Sequence, residues 1–327
     1  EGIVLFRETA EKGNLRSDGF VTKTHPLSAS PYDFSIVSVF TVSRASFIQE
    51  FYKRWKGALL FVFYCDVEDC SILGDLERTI ASSGRIRILP VQTYHLDEFP
   101  INRLRNIGIR HVETSHYAVI DMDLWPSYTL YDELHAIDLS LLSDSFSAFV
   151  IPIFFFNTRR INGTDPITIG RDLYPSSFAS LHACVNSGVC LMRKPNRYTH
   201  LLVNEHWFSL NRTLPVAQLR CIPNYEQEPY YFLRRGNRTP LYDERFVGYG
   251  YNKMQHMRHL TYVGYQFYIL TNAFALDMPH PHAFQPLPFS KTQSLKKMKR
   301  LYKSFLYDPS WHHRMNQRMK YCSHSEE

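Results

Sequence analysis

Between residues 35 and 121 four strand-length apolar runs alternate with stretches of helical character, and this alternation limits the folds open to the chain. The runs are Ser35–Thr41, Ala58–Tyr64, Arg85–Val91 and Tyr117–Asp121. Ser43 is placed to cap a helix running to about Trp55. Helices are also predicted over Ile72–Ala81 and Ile101–His111, the last with Ile101, Leu104 and Gly108 along one face. Ala58–Tyr64 is apolar throughout, as a strand covered on both faces must be. A βαβαβαβ order predicts an α/β fold: a Rossmann-like, mostly parallel central sheet with helices on both faces and right-handed crossovers. Ligands of such sheets bind outside the carboxyl ends of the strands. The crossover loops after the first two strands and the end of the fourth therefore share the ligand edge.

At that edge stands Asp121-Met122-Asp123-Leu124, directly after Tyr117-Ala118-Val119-Ile120. Two carboxylates one residue apart at a strand end suit a hard divalent ion, Mn2+ or Mg2+, whose shell phosphates complete. A strand end capped by solvated acids would look the same in sequence. Position on the ligand edge favours the metal.

The second half is less regular. Ser147–Phe155 reads as one strand, 157–223 as loops over a surface, and Tyr230–Leu233 as a strand. Asp243–Tyr251 is a glycine-punctuated loop entering a helix to about Thr261, and Tyr265–Leu270 is a further strand. Over Ser294–Phe305 a helix is predicted with Leu295, Met298, Leu301, Tyr302 and Phe305 as its apolar stripe. Its lysines form a solvated face or meet a polyanion. With no repeat and no low-complexity linker, the expected division is an extension over 1–34 and a single domain over 35–327.

Composition narrows the class. Of 327 residues, 44% are hydrophobic, enough for a substantial core, and the net charge of +6 agrees with a phosphorylated or polyanionic ligand. No nucleic-acid module is present, so no nucleic-acid partner is expected. The longest apolar run, Ala148–Phe156, is too short to span a bilayer and contains Pro152. Asn162-Gly163-Thr164 and Asn211-Arg212-Thr213 are glycosylation sequons, and six cysteines are compatible with disulfides, Cys65/Cys70 and Cys184/Cys190 being close enough for local loops. The chain begins at Glu1 without Met, which suggests a portion of a longer product.

Four segments together resemble a known family. They are Phe99-Pro100-Ile101-Asn102-Arg103-Leu104-Arg105-Asn106, Asp121-Met122-Asp123-Leu124-Trp125-Pro126, Tyr242-Asp243-Glu244-Arg245-Phe246-Val247-Gly248-Tyr249-Gly250-Tyr251-Asn252-Lys253 and Asn272-Ala273-Phe274-Ala275-Leu276-Asp277-Met278-Pro279-His280. Their order and spacing resemble the family 49 glycosyltransferases, which include the C-terminal domain of the LARGE xylosyl/glucuronyltransferases and a β-1,4-glucuronyltransferase. The resemblance implies a GT-A fold, a UDP-sugar donor, Mn2+ (or Mg2+), and inverting transfer of glucuronate or a related hexose or N-acetylhexosamine to a glycan or glycoprotein acceptor. It also implies a type II membrane protein of the Golgi lumen, anchored only through a segment outside this sequence, and is compatible with a homodimer.

Carried onto this chain, the resemblance assigns the metal to Asp121 and Asp123. Asp277 stands where the family commonly has a His ligand, and His280 is the alternative. Ser43 and Arg44 follow the first strand, where uridine sits. Arg105 and Asn106 match a Leu-Arg-Asn element near the diphosphate or sugar. Lys253 meets phosphate or merely charges a helix face. For the base that takes the acceptor proton, Glu228 comes first, from a Glu-Pro-aromatic motif, then Asp243 and Glu244, which could instead cap backbone amides. Phe155 stands where relatives carry a Glu, which puts glucuronate transfer in question. A catalytically weakened glycan-binding protein on the same fold is the alternative.

Overall fold

The computed structural model describes residues 7–11, 14–18, 31–66, 68–80, 84–93, 99–161, 165–194, 198–279, 288–308 and 318–322. His280 and Asn162 lie outside them. Strands β1 (Arg7–Glu11) and β2 (Asn14–Asp18) form an antiparallel hairpin. β3 (Phe34–Phe40), helix α1 (Phe47–Arg54), β4 (Ala58–Cys65), α2 (Leu73–Ile80), β5 (Ile86–Gln92), α3 (Ile101–Arg110) and β6 (His116–Val119) then follow in the predicted alternation. Ser43 is not a helix cap. It lies in a 3-10 turn over Val42–Arg44, and α1 starts only at Phe47, with no side-chain cap.

Next come β7 (Leu124–Pro126), α4 (Leu130–His135), α5 (Leu139–Ser143), β8 (Ser147–Ile151) and β9 (Ile153–Phe156). The single strand predicted over Ser147–Phe155 is therefore two. Pro152 has no N–H to continue a ladder, and the chain changes sheet there, its carbonyl accepting from Ala275 N–H at 2.8 Å. The stretch read as loops contains α6 (Pro166–Asp172), α7 (Phe178–Asn186), β10 (Cys190–Leu191), β11 (Val216–Gln218) and β12 (Cys221–Ile222). β13 (Tyr230–Arg234), α8 (Asn252–Val263), β14 (Gln266–Leu270), β15 (Ala275–Asp277), α9 (Pro288–Leu306) and β16 (Lys320–Tyr321) complete the order.

The main sheet runs β11-β14-β8-β13-β6-β3-β4-β5-β1-β2. Its centre, β6-β3-β4-β5, is parallel, and β13 joins β6 antiparallel. The chain is thus α/β with a mostly parallel central sheet, as expected. β1 pairs parallel with β5 and extends the edge. β4 and β5 build outward on one side of β3 and β6 on the other, so strand order reverses between β3 and β6. That crevice is where open α/β sheets bind ligands.

A second sheet, β10-β9-β15-β7, lies beyond the same edge. Burial follows the apolar pattern. Phe34, Phe51, Trp55, Phe61, Phe63 and Phe232 are fully buried, with Trp55 stacked on Phe232. On α9, Met298, Tyr302 and Phe305 pack against Phe246 and Tyr262, while Lys296, Lys297, Lys299, Arg300 and Lys303 are exposed. That is the solvated-face outcome.

Disulfides join Cys65–Cys70, Cys184–Cys190 and Cys221–Cys322. The last ties the C-terminal segment to the body, where β12 and β16 pair. Asn211 is exposed. Among the described residues no helix is long and apolar enough to cross a membrane.

Candidate active site at the β3/β6 crevice

Past β6 the backbone stays beside β3: Ile120 N–H donates to Val37 O at 2.9 Å, and Ser38 Oγ donates to Ile120 O at 2.6 Å. The chain then turns, with Leu124 N–H donating to Asp121 O at 2.9 Å and the Trp125 indole N–H to Met122 O at 3.1 Å. Met122 and Trp125 are buried. The turn is thus fixed from inside by two apolar side chains, and its two acids flank it at intermediate exposure.

Asp121 is the hub. Its Oδ1 accepts from Arg105 Nη2 at 3.1 Å, and its Oδ2 accepts from Lys253 Nζ at 2.8 Å and from the Tyr230 hydroxyl at 2.5 Å. Burial works to raise the Asp121 pKa. Lys253 and Arg105 outweigh it and hold the carboxyl well below the usual range. Lys253 is the reverse case. Burial disfavours its charge, but Asp121 and then Glu228 raise its pKa above the ordinary value. Arg105 is itself fixed, its Nη1 donating to Asn102 and Asn252 side chains at 3.1 Å each and its guanidinium lying over the Tyr242 ring.

The glycine-punctuated loop positions Lys253. Gly248 and Gly250 have φ of 64° and 98°, and Tyr251, at φ 63°, is the non-glycine residue in the left-handed region just before α8. That conformation costs about 1–2 kcal/mol for a side-chain-bearing residue. Gly248 N–H donates to Phe99 O at 2.7 Å, and Asn252 Nδ2 returns to Gly248 O at 3.2 Å. The first turn of α8 is thereby aimed at Asp121.

Arg44 and Asp123 are also brought together. Burial lowers the Arg44 pKa, and the Asp123 charge opposes that change. Asp123 also adds to the raised pKa of Tyr230, behind burial and Asp121. Ser43 is exposed beside them.

Glu228 lies two residues before Tyr230, its backbone N–H donating to Thr199 O at 2.7 Å. Its charge acts on Lys253. The other two base candidates are committed elsewhere. Arg245 binds both Asp243 oxygens, at 2.9 and 3.1 Å from Nε, and burial, which would raise the Asp243 pKa, is outweighed by that guanidinium. Asp243 lines a cavity with Arg245, Gln255, His259, Leu301 and Asp308. Glu244 accepts from Asn106 Nδ2 at 2.8 Å and Arg110 Nη2 at 3.2 Å. Asn106, buried, also bonds the Tyr242 backbone through both amide atoms, at 2.8 Å to the carbonyl and 2.9 Å from the N–H. Glu244, Asn106 and the Asp243 carbonyl, which accepts from Asn102 Nδ2 at 2.8 Å, thus bind the loop to α3.

Asp277 lies one strand over. It pairs with Leu124 on β7 and Phe155 on β9, and Met278 N–H donates to Asp123 O at 2.7 Å. Both its oxygens accept from Lys194 Nζ, at 2.9 and 3.0 Å, and that ammonium lies over the Phe155 ring. Among the described residues no group of three or more His, Cys, Asp or Glu side chains is assembled to hold a metal. Two of the expected ligands, Asp121 and Asp277, have both oxygens bonded to donors that include an ammonium. Two unit charges 4 Å apart repel by about 4 kcal/mol at an effective dielectric near 20, and a dication by about twice that. As arranged, the Asp121 and Asp277 carboxylates do not fit a divalent ion; His280 lies outside the described residues. Sequence reasoning missed Tyr230, Asn252 and Lys194, each brought in by a contact distant along the chain.

Known proteins resemble this chain over most of its length. It is 27% identical over 289 residues to human "Xylosyl- and glucuronyltransferase LARGE1", covering 86% of this chain and 36% of that protein. To human "Xylosyl- and glucuronyltransferase LARGE2" it is 26% identical over 293 residues, covering 88% of this chain and 39% of that protein. The chain therefore spans little more than a third of these relatives. Among solved structures, GalNAc-T7 with UDP, GalNAc and Mn2+ superposes at a TM-score of 0.49 and 10% identity, over 87% of this chain and 57% of that one. The family model described as "Glycosyl-transferase for dystroglycan" matches residues 65–306, and the chain belongs to that family, family 49 of the glycosyltransferases.

Proposed function

We propose that this chain transfers a sugar from a UDP-sugar to a hydroxyl of a glycan or glycoprotein acceptor, with inversion at C1. The reading rests on the ionised Asp121 clamped between Arg105, Lys253 and Tyr230 at the strand-order reversal, in a chain of this family. The donor lies across the β3/β6 crevice, uridine toward Ser43 and Arg44, diphosphate toward Lys253 and the N-terminal turn of α8, whose free N–H groups favour an anion.

Transfer is a single displacement. The acceptor oxygen forms a bond to C1, the C1–O bond to the diphosphate breaks, and its electron pair leaves with UDP. The proton of the acceptor hydroxyl passes to Glu228. Lys253, kept charged by Asp121, stands where negative charge grows on the leaving group. Relatives named as xylosyl- and glucuronyltransferases make UDP-xylose and UDP-glucuronate the first donors to try, although Phe155 offers no polar group to a sugar. The three disulfides and the exposed sequon at Asn211 suit an oxidising lumen such as the Golgi.

A panel of UDP-sugars with a glycan acceptor tests this, UDP release being the readout. One donor should turn over. Glu228→Gln should lower kcat by about 10²- to 10⁴-fold with UDP affinity retained; unchanged turnover would clear Glu228. Glycan binding with no donor consumed would instead favour the weakened, glycan-binding alternative.

A further inference from the structure

Lys194 reaches the site through secondary structure the sequence hides. Cys190 and Leu191 form β10 against Phe156 and Phe155 of β9, and the Cys184–Cys190 disulfide fixes β10 to the end of α7. Three residues later Lys194 lies over the Phe155 ring with its ammonium on both oxygens of Asp277. Asp277 in turn is hydrogen-bonded through the next residue to the backbone of Asp123. The Lys194–Asp277 pair therefore borders the Asp121–Asp123 turn.

Each carboxylate assigned to this corner is either ion-paired with a cationic side chain or carries charge that acts on one. Asp121 faces Arg105 and Lys253, Asp277 faces Lys194, Asp123 acts on Arg44, and Glu228 acts on Lys253. Divalent-ion affinity rises with the carboxylate charge a site has to offer, and here that charge is already opposed. The Lys194 side chain is 46% exposed and Asp277 26%. An ammonium with three donors on a four-carbon stem can keep Asp277 and still take a phosphate oxygen.

We propose that Lys194, held by Asp277, supplies together with Lys253 the positive charge that receives the donor's diphosphate, so that nucleotide binding and sugar transfer need no divalent cation. This rests on the reading of the chain as a UDP-sugar glycosyltransferase.

Calorimetric titration with UDP, in EDTA and in excess MnCl2, tests the proposal on the intact chain, Lys194→Ala and Lys194→Arg. The wild-type affinity should agree within about twofold between the two conditions. Lys194→Ala should lose about tenfold or more in EDTA, and Lys194→Arg should lose much less. Thermal unfolding of the variants at the wild-type midpoint would attribute the loss to the missing charge. Wild-type binding that EDTA abolishes and Mn2+ restores would overturn the proposal and leave the glycosyltransferase reading standing, as would a Lys194→Ala variant that binds like wild type. Equal loss in Lys194→Arg and Lys194→Ala would also overturn it. No UDP binding under either condition would overturn both.

Discussion

Lys253 and Asp121 are 132 residues apart in sequence and 2.8 Å apart in space, with the Tyr230 hydroxyl touching both. One end of this contact is anchored by the β3/β6 ladder, the other by the left-handed turn at Tyr251 that starts α8. The ion pair is therefore a strut between the sheet edge and the glycine loop, and it fixes the ammonium where the diphosphate is proposed to lie.

Lys253→Gln should remove the charge and keep most of the volume. Asp121 would retain Arg105, so the fold should survive with a loss of about 1–3 kcal/mol, while UDP affinity should fall by about tenfold or more. Denaturant unfolding and UDP titration measure the two effects separately. Asp121 has a depressed pKa, so its contribution to stability is present above about pH 4 and fades as pH falls through the folded value. Lys253 has a raised pKa, so its contribution is present below about pH 10 and fades as pH rises through the folded value. Between these limits the strut stays intact.

His256 sets a different pH dependence. Pro240 offers only a carbonyl, so the 3.0 Å contact requires Nε2 to carry the hydrogen, and Nδ1 then accepts from the Tyr231 hydroxyl at 2.6 Å. The ring is 1% exposed and stacks on Tyr242. Burial pushes its pKa down to about 3. Below about pH 6.5 the unfolded chain takes a proton that the folded chain refuses, so stability falls as pH falls from there toward 3. The loss should be about 2 kcal/mol between pH 7.5 and pH 5. His116, with its pKa lowered to about 4 by burial and Arg234, should add in the same direction. Denaturant titrations at the two pH values should show the drop, and His256→Gln should reduce it by the His256 share, leaving that of His116. An equal slope in the variant would clear His256.

Much of this was legible before the structure, for physical reasons. The first four central strands are apolar enough to declare themselves, and their alternation with helices fixed the edge on which Asp121 had to lie. The loop before α8 announced itself through Gly248 and Gly250. The break at Pro152 was hidden because apolar residues flank it on both sides and two different sheets bury them. α6 is short and α7 buries Leu181 alone, so neither shows a broad apolar stripe, although their caps are visible: Asp165 accepts from Thr168 N–H, and Ser177 forms a capping box with Ser180. The site itself was only half readable. An acid after a strand implies an edge, but nothing local to Tyr230, Asn252 or Lys194 says that each will meet a side chain far along the chain. Nor does Asn106 reveal that its amide ties down the Tyr242 backbone.

Gly108 links the packing of the sheet to the site. It faces the sheet from α3, and a Cβ there would lie 2.3 Å from Val37 Cγ1 and 3.1 Å from Val62 Cγ2. Both neighbours are β-branched and buried in central strands, so neither can rotate away freely. Ala favours helix over Gly by about 1 kcal/mol, but here the helix would have to move outward, at about 1–3 kcal/mol for overpacking. Arg105 stands one turn earlier on the same helix and holds Asp121. Gly108→Ala should therefore both lower the unfolding midpoint and weaken UDP binding, without touching any polar group of the site. Adding Val37→Ala should open the space and recover part of the UDP affinity, even though the second change removes buried volume of its own. A Gly108→Ala variant more stable than the parent, with unchanged UDP binding, would mean that α3 is free to shift and that its packing does not position Arg105.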